Sequence, residues 1–562
     1  MLIGIDVGGT FTDAVLIDQG RPVRKAKIPT APDLIPCLLG ALDEVTRGIE
    51  PHQIERVTLS TTLITNLIAE EKTDPVVILL IPGPGVNPAS YHLPGKAYVL
   101  KGAIDYRGRE TAPLDYDELK RVTAEIAQSG PRKVAIVGKF SPRNHTHEDQ
   151  IADYIKQHYP TWKVELGYRA AGQLNFPRRI VNTVLTVATR PAYQRFAEQV
   201  MTALKERGIT APVYILKADG GTLPIARAVD QPVETIFSGP AASTMGVLAL
   251  TSPKQTSVVV DIGGTTTDLA LILAGEPLLS SKGARVKNWL TQVRAFAVKS
   301  VPLGGDSLVQ YRDHQLLVGP HRVGVASCLG GPAPTPTDAL RVLGLTDIGN
   351  LEAARLSLER IARQLGLSVE ATAQEIVQRV TKQLVEEINQ MFLAWEQEPA
   401  YRVWELMQKE KVRPENVVGV GGSSPSLIPL VAEQLNCRGI IPPHAEVANA
   451  IGAAVARPTL SISLRVDTER ERYSVAETGQ EEKLPNAKRF FIEEANELGR
   501  QLLRERAAAL GITEYADEME IIHSEVFNMV RGWHTVGRLF DVTVQIAPGL
   551  IANWQAGGVE GV

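Results

Sequence analysis

One eight-residue pattern occurs twice in this chain and restricts the folds open to it. Residues 6–13 read Asp-Val-Gly-Gly-Thr-Phe-Thr-Asp and residues 261–268 read Asp-Ile-Gly-Gly-Thr-Thr-Thr-Asp, identical at six of eight positions. Each copy follows an apolar run (Leu2–Ile5, Val258–Val260) and precedes another (Ala14–Ile17, Leu269–Leu273). A strand–turn–strand unit used twice points to two related α/β domains, each presenting one turn.

The residue types in the turn suit a phosphate. Adjacent glycines let the backbone fold tightly and approach a ligand with no Cβ in the way. Backbone N–H groups then converge on one point, forming an anion nest, and threonine hydroxyls add donors. Gly8, Gly9, Thr10 and Thr12, with Gly263, Gly264, Thr265 and Thr266, are the expected phosphate-binding residues. The leading aspartates, Asp6 and Asp261, end their strands where Mg²⁺ or its waters would take oxygen ligands. Asp13, Asp261 and Asp268 are the candidate catalytic groups. Two such hairpins facing each other would clamp the β- and γ-phosphates of ATP. No Gly-x-x-x-x-Gly-Lys-Ser/Thr occurs, which excludes a Walker-type loop.

Val417–Ser424 (Val-Val-Gly-Val-Gly-Gly-Ser-Ser) is a strand entering another glycine turn, and Gly421, Gly422 and Ser423 are placed to back an adenine ring. A helix is expected from Glu446 to Ala456. Its small residues Ala448, Gly452 and Ala453 permit the close helix contact of a domain hinge.

With 562 residues the chain exceeds one core. Net charge of −4 gives no electrostatic reason for a nucleic-acid or membrane partner. Cys37, Cys328 and Cys437 have neither zinc nor redox spacing and read as free thiols of a reducing cytosol. No apolar run approaches the roughly 18 residues of a membrane span, and the expectation is a soluble, cytoplasmic protein.

Short apolar runs at Val76–Ile81 and Val134–Val137 alternate with helical stretches at Tyr116–Gln128 and His147–Gln157, the pattern of a parallel sheet. Long helices are expected over Ile180–Arg207 and Val369–Trp395. In the second, Ile376, Val377, Val380, Leu384, Ile388, Met391, Phe392 and Trp395 recur at steps of three and four. The Gly/Pro-rich stretch 281–349 reads as functional loops. A composition change places a boundary near 458, followed by a charged helix over 488–510 and a strand-rich tail from Val526 to Trp554. The expected division is 1–205, 206–457 and 458–562.

In order, these segments resemble the phosphate-1, phosphate-2, adenosine and second connecting motifs of the actin-like ATPase superfamily, with its ribonuclease H-like duplicated domains. More specifically, the chain resembles the hydantoinase A/oxoprolinase family, which includes N-methylhydantoinase A, 5-oxoprolinase and the acetone and acetophenone carboxylase subunits. Ile3–Asp13 is close to the family's opening, and Ser60–Asn66 is similar to its Gly-Thr-Thr-x-x-Thr-Asn segment. Asn144 with His147 and Glu148, Asp219–Gly221, Phe237–Ala241 and Pro334–Ala339 are also family-like. Leu59-Ser60 stands where members usually carry His-Gly, the 301–307 loop has fewer glycines than usual, and the region after 457 is short for the family.

The resemblance implies an ATP- and Mg²⁺-dependent hydrolase subunit acting on a cyclic amide: a hydantoin, 5-oxoproline or a lactam. It also implies a hydantoinase B-type partner and an oligomer. A carboxylase subunit and a non-enzymatic ATP-driven chaperone or reactivating factor are the alternatives. Four further residues have two readings each. His147 and Glu148 suit acid/base work or the start of a helix, Asp338 a site or an N-cap, and Asp219 a site or a turn. The histidines form no His-x-x-x-His pair, which argues against zinc.

Overall fold

The computed structural model describes residues 1–130, 132–251, 254–397 and 412–555. The chain opens with β1 (Leu2–Val7), β2 (Phe11–Asp18), β3 (Arg21–Pro29) and β4 (Arg56–Thr61). An inserted unit follows, with β5 (Val76–Ile81), β6 (Lys96–Val99), β7 (Lys133–Gly138), α1 (Thr146–His158) and β8 (Lys163–Leu166). Helix α2 (Phe176–Glu206) then returns the chain to β9 (Val213–Leu216) and β10 (Thr222–Pro224). The first sheet runs β10-β9-β4-β1-β2-β3, so two strands lying after residue 205 complete it. The inserted sheet, β8-β7-β5-β6, is parallel throughout. Its strands β5 and β7 are buried at every position, because helices cover both faces.

Helix α2 explains its own lack of amphipathic pattern. Phe176, Ile180 and Val184 pack on the inserted sheet, while Val181, Leu185, Phe196 and Val200 pack on the first. A helix serving two cores is apolar on several sides.

The second half repeats the first. After α3 (Ser238–Thr251) come β11 (Ser257–Ile262), β12 (Thr267–Leu273) and β13 (Val298–Val301). Helices α4 (Pro336–Val342) and α5 (Val369–Glu396) precede β14 (Asn416–Val420), α6 (Ser424–Leu435), β15 (Arg438–Ile440) and α7 (Ala448–Val455). β1 lies antiparallel to β2 and parallel to β4, and β4 parallel to β9. In the same relation, β11 lies antiparallel to β12 and parallel to β14, and β14 parallel to β15. β3 and β13 close the corresponding edges. The duplication read from two short turns is therefore a duplication of sheets. Helix α5 buries Ile376, Val380, Leu384, Ile388 and Phe392, as its spacing predicts.

The last unit is the antiparallel sheet β18-β17-β16-β20-β19, formed by β16 (Leu460–Asp467), β17 (Arg472–Val475), β18 (Gln480–Lys483), β19 (Glu520–Arg531) and β20 (His534–Ile546). Its helix α8 (Ile492–Leu510) covers one face. β16 alternates strictly between buried and half-buried positions, so one face of the sheet is apolar core and the other is polar. The core under this sheet is continuous with that of the second half through Val259, Val418, Ile451 and Val455. Among the described residues no helix is long and apolar enough to cross a membrane.

Candidate active site

The two turns meet. Each is closed by the same backbone bond, Gly8 N–H to Phe11 O (3.1 Å) and Gly263 N–H to Thr266 O (3.0 Å). Each sets its two aspartates directly across the ladder, Asp6 opposite Asp13 and Asp261 opposite Asp268. A Cβ built on Gly264 of the second turn would lie 3.6 Å from Thr10 Oγ1 of the first. From α7, the Asn449 side-chain amide donates to both leading aspartates, at 3.3 Å to Asp6 Oδ2 and 3.1 Å to Asp261 Oδ2. The Ser243 hydroxyl of α3 also donates to Asp261 Oδ2.

The glycines have separate jobs. A Cβ on Gly8 would stand 2.9 Å from Phe11 O, and Gly421 combines a φ of 86° with a Cβ position 2.8 Å from Asp261 Oδ1. Gly9 and Gly422 are different: neither has a positive φ nor any atom within 4 Å of a Cβ. Glycine at these two positions answers no crowding within the chain and leaves open space above the turns.

The carboxylates are in tension. Burial pushes Asp6 up to about 7, and the charges of Asp13 and Asp261 add to the shift, against hydrogen bonds from Ser60 and Asn449. Asp268 is also raised to about 7, by burial first and then by Asp261. Asp13 rises only to about 6, because Lys27 Nζ, at 2.8 and 3.0 Å from its two oxygens, offsets part of the burial. Asp6 Oδ1 is buried without a hydrogen-bond partner.

The 303–306 loop packs on the second turn, with Gly305 N–H and Asp306 N–H donating to Gly263 O and Gly264 O. Asp306 is itself held by Arg322 at 2.8 Å. Ser423, after Gly422, stands 2.8 Å from a Cβ position on Gly305. Thr12 sits behind the first turn, sharing a hydrogen bond with Thr30 (3.0 Å). Thr265 is at the exposed tip of the second turn.

The other candidates are architectural. Glu148 is fully buried and accepts from Gly138 N–H and Tyr168 N–H, tying α1 to the end of β7. His147 is buried with Nε2 on Glu110. Asp338 is not an N-cap: Thr335 caps α4, and Asp338 is the third residue of a capping box, also accepting from Ser327 and Cys328 N–H. Proline at the helix start shifts the boundary one turn earlier than the aspartate suggests. Asp219 forms the expected turn, accepting from Gly221 N–H at 3.0 Å, and contacts Lys217 at 3.3 Å.

Sequence reasoning missed Asn449, Ser243 and Lys27. Only Asn449 left a signal, as the one polar residue in the otherwise apolar run 447–456. Replacing it with alanine is expected to slow ATP turnover by about tenfold, the value of a lost hydrogen bond to a charged group. Steady-state phosphate release, compared with the wild-type chain at equal melting temperature, measures this.

Comparison with known proteins finds relatives over most of the chain. The caprolactamase subunit alpha of Pseudomonas jessenii is 26% identical over 486 residues, covering 78% of this chain and 68% of that protein. The acetophenone carboxylase gamma subunit of Aromatoleum aromaticum is 26% identical over 431 residues, covering 66% of this chain and 58% of its own length. Among solved structures, the ATP-dependent caprolactamase of Pseudomonas jessenii superposes over 100% of this chain and 89% of that one, with a TM-score of 0.71 at 21% identity. A nucleotide-free acetone carboxylase gives 0.72 at 18% identity, over 98% of this chain and 87% of that one. These likenesses establish the mixed α/β fold. The sequence profile described as the hydantoinase/oxoprolinase N-terminal region matches residues 2–159, and the profile described as hydantoinase/oxoprolinase matches residues 179–461. With most of its length accounted for by these two regions, the chain belongs to the hydantoinase/oxoprolinase family.

Proposed function

We propose that this chain is the ATP-using subunit of an enzyme that opens a cyclic amide, a hydantoin, 5-oxoproline or a lactam. The observation that carries the reading is the meeting of the two turns, with Asn449 spanning Asp6 and Asp261. The open space over Gly9 and Gly422 supports a nucleotide lying between them, phosphates on the turns and adenine on Gly421–Ser423.

The donor set fits Mg²⁺. Among the described residues no group of three or more His, Cys, Asp or Glu side chains could hold a metal. Mg²⁺ needs only one or two carboxylates when phosphates and waters complete its octahedron. Asp6 and Asp261 supply two, and the unpartnered Asp6 Oδ1 is the natural ligand atom. When bound, the ion neutralises phosphate charge.

In the reaction the lactam carbonyl oxygen attacks the γ-phosphorus, and the bond to the β-phosphate oxygen breaks, releasing ADP with the electron pair. Water adds to the phosphorylated carbon, and the C–N bond breaks as the nitrogen takes a proton, leaving an acyl phosphate; a second water attacks the acyl carbon and expels phosphate, yielding the amino acid. Burial and positioning are the chain's contribution: the turns orient the phosphates, Lys27 holds Asp13 ionised, and Asn449 fixes the spacing of the two lobes.

A carboxyl that binds its proton more tightly when folded contributes stability at low pH that is lost as pH rises through the folded pKa. Without a cation, Asp6 and Asp268 therefore weaken the fold progressively between about pH 4 and pH 7. The rise in melting temperature caused by Mg²⁺ with nucleotide is expected to grow over that range and to shrink in Asp6→Asn. Melting scans across pH, with and without Mg²⁺, measure it.

The names of the relatives as alpha and gamma subunits support a partner subunit, and the family resemblance makes it a hydantoinase B-type chain. The test is phosphate release by the chain, alone and with that partner, in the presence of hydantoin, 5-oxoproline or caprolactam labelled with ¹⁸O at the carbonyl. Substrate-stimulated turnover with label entering phosphate is expected; no stimulation by any of them would sink the reading. Because the carboxylase subunit matches with the same identity as the caprolactamase, bicarbonate with a ketone is the second substrate set, and turnover confined to it would assign carboxylation instead.

A further inference from the structure

Away from the turns, a crevice of about 330 Å³ lies between the inserted unit and the polar face of the C-terminal sheet. Its floor follows from the alternation of β16, whose half-buried residues Ser463, Arg465 and Asp467 face it. Its roof is the β7–α1 loop, carrying Arg143, and the turn carrying Arg107. The roof therefore sits just beyond the carboxyl end of a parallel strand, where α/β sheets habitually bind ligands.

Five arginines line the crevice, Arg107, Arg143, Arg465, Arg470 and Arg472, against three carboxylates, Asp467, Glu481 and Asp541, an excess of two positive charges. The carboxylates are already engaged. Arg465 donates to both oxygens of Asp541 at 2.9 and 3.0 Å, Arg472 to Glu481 at 3.0 Å, and Arg470 lies 4.0 Å from Asp467. Among the described residues the Arg107 guanidinium donates to the Tyr106 hydroxyl and to no carboxylate. Arg143 makes no ion pair or side-chain hydrogen bond among the described residues. Burial and the neighbouring charge of Arg465 push it down to about 10, with Asp541 and Asp467 offsetting only part of the shift. A guanidinium held this way is costly unless an anion completes it.

We propose that this crevice binds a compact polyanion, a small molecule with two or more carboxylate or phosphate groups, independently of the nucleotide cleft. Arg107 and Arg143 supply the free forks, whose planar donors match such groups bidentately. The volume is at the lower end for ligand pockets, which restricts the ligand to a small di- or triacid or a phosphorylated metabolite of similar size. Binding spans the inserted unit and the C-terminal sheet, so the ligand joins the two.

Titration calorimetry on the full chain tests this, with the cleft filled by ADP and Mg²⁺ omitted, using citrate as the carboxylate probe and pyrophosphate as the phosphoryl probe. One saturable site per chain is expected for at least one probe. Arg143→Gln and Arg107→Gln should each weaken it by about tenfold or more, with ADP affinity unchanged and the melting temperature of the ligand-free protein not lowered. No heat from either probe at concentrations on the order of 10 mM would overturn the proposal. So would binding unaffected by both substitutions, or binding abolished by Asp261→Ala, which would place the anion in the cleft.

Discussion

Asp261→Ala is expected to lower kcat for ATP hydrolysis by about 10²–10³-fold while the chain stays folded, the usual cost of removing one preorganised electrostatic group from such a site. Asp261 Oδ2 lies where the two halves meet: it receives Asn449 from α7 and Ser243 from α3. The aspartate also ends β11 directly under the second turn. Its loss removes one of the two proposed metal ligands and leaves the Asn449 amide attached to Asp6 alone. The fold should tolerate the change, because the Asp261 charge is one of the forces raising Asp6 and Asp268. Circular dichroism and ADP binding establish folding, and phosphate release gives kcat. Hydrolysis at the wild-type rate would refute the metal role of Asp261.

The turns were legible because each is a local object: strand, glycine pair and strand lie within residues 2–18 and 257–273, and sterics alone select the residue types. The long helix Val369–Glu396 was legible for the same reason, since one buried stripe writes its period into the sequence. Asn449 was not. It is 443 residues from Asp6, and nothing local to a helix of alanines says which strand its amide will reach. Lys27 likewise looks like an ordinary exposed strand residue until the ladder sets it opposite Asp13. Asp338 shows the converse limit: its type suits a helix start, but only the hydrogen bonds distinguish the cap from the third residue. Helix α2 carried too little periodic signal to reveal that it walls two cores at once. The stretch 281–349 gave no period because strands of two to eight residues alternate with turns, yet its 303–306 segment braces the second turn through backbone bonds that any sequence with the right glycines could make.

Gly452→Ala is expected to cost about 3 kcal/mol of stability, the upper end for overpacking a core, and to reduce ATP turnover even well below the melting temperature. A Cβ at Gly452 would fall 2.1 Å from Ala242 O and 2.4 Å from Gly246 N, and one at Gly246 would fall 2.2 Å from Ala448 O. The same helix also presses on β1, where a Cβ at Gly4 would lie 2.0 Å from Ala450 O. α3, α7 and β1 thus touch backbone to backbone, with no flexible side chain to yield. Relief requires α7 and α3 to move apart, and Asn449 lies on α7 one turn earlier. Moving α7 by even part of an ångström lengthens hydrogen bonds that already measure 3.1 and 3.3 Å to the two aspartates. Gly499→Ala separates the two effects. Its Cβ would crowd the Val544 side chain at 2.9 Å in the C-terminal core, away from the cleft. That variant should lose stability with kcat intact. Equal loss of kcat in both would mean that general loosening, and not the position of Asn449, controls turnover.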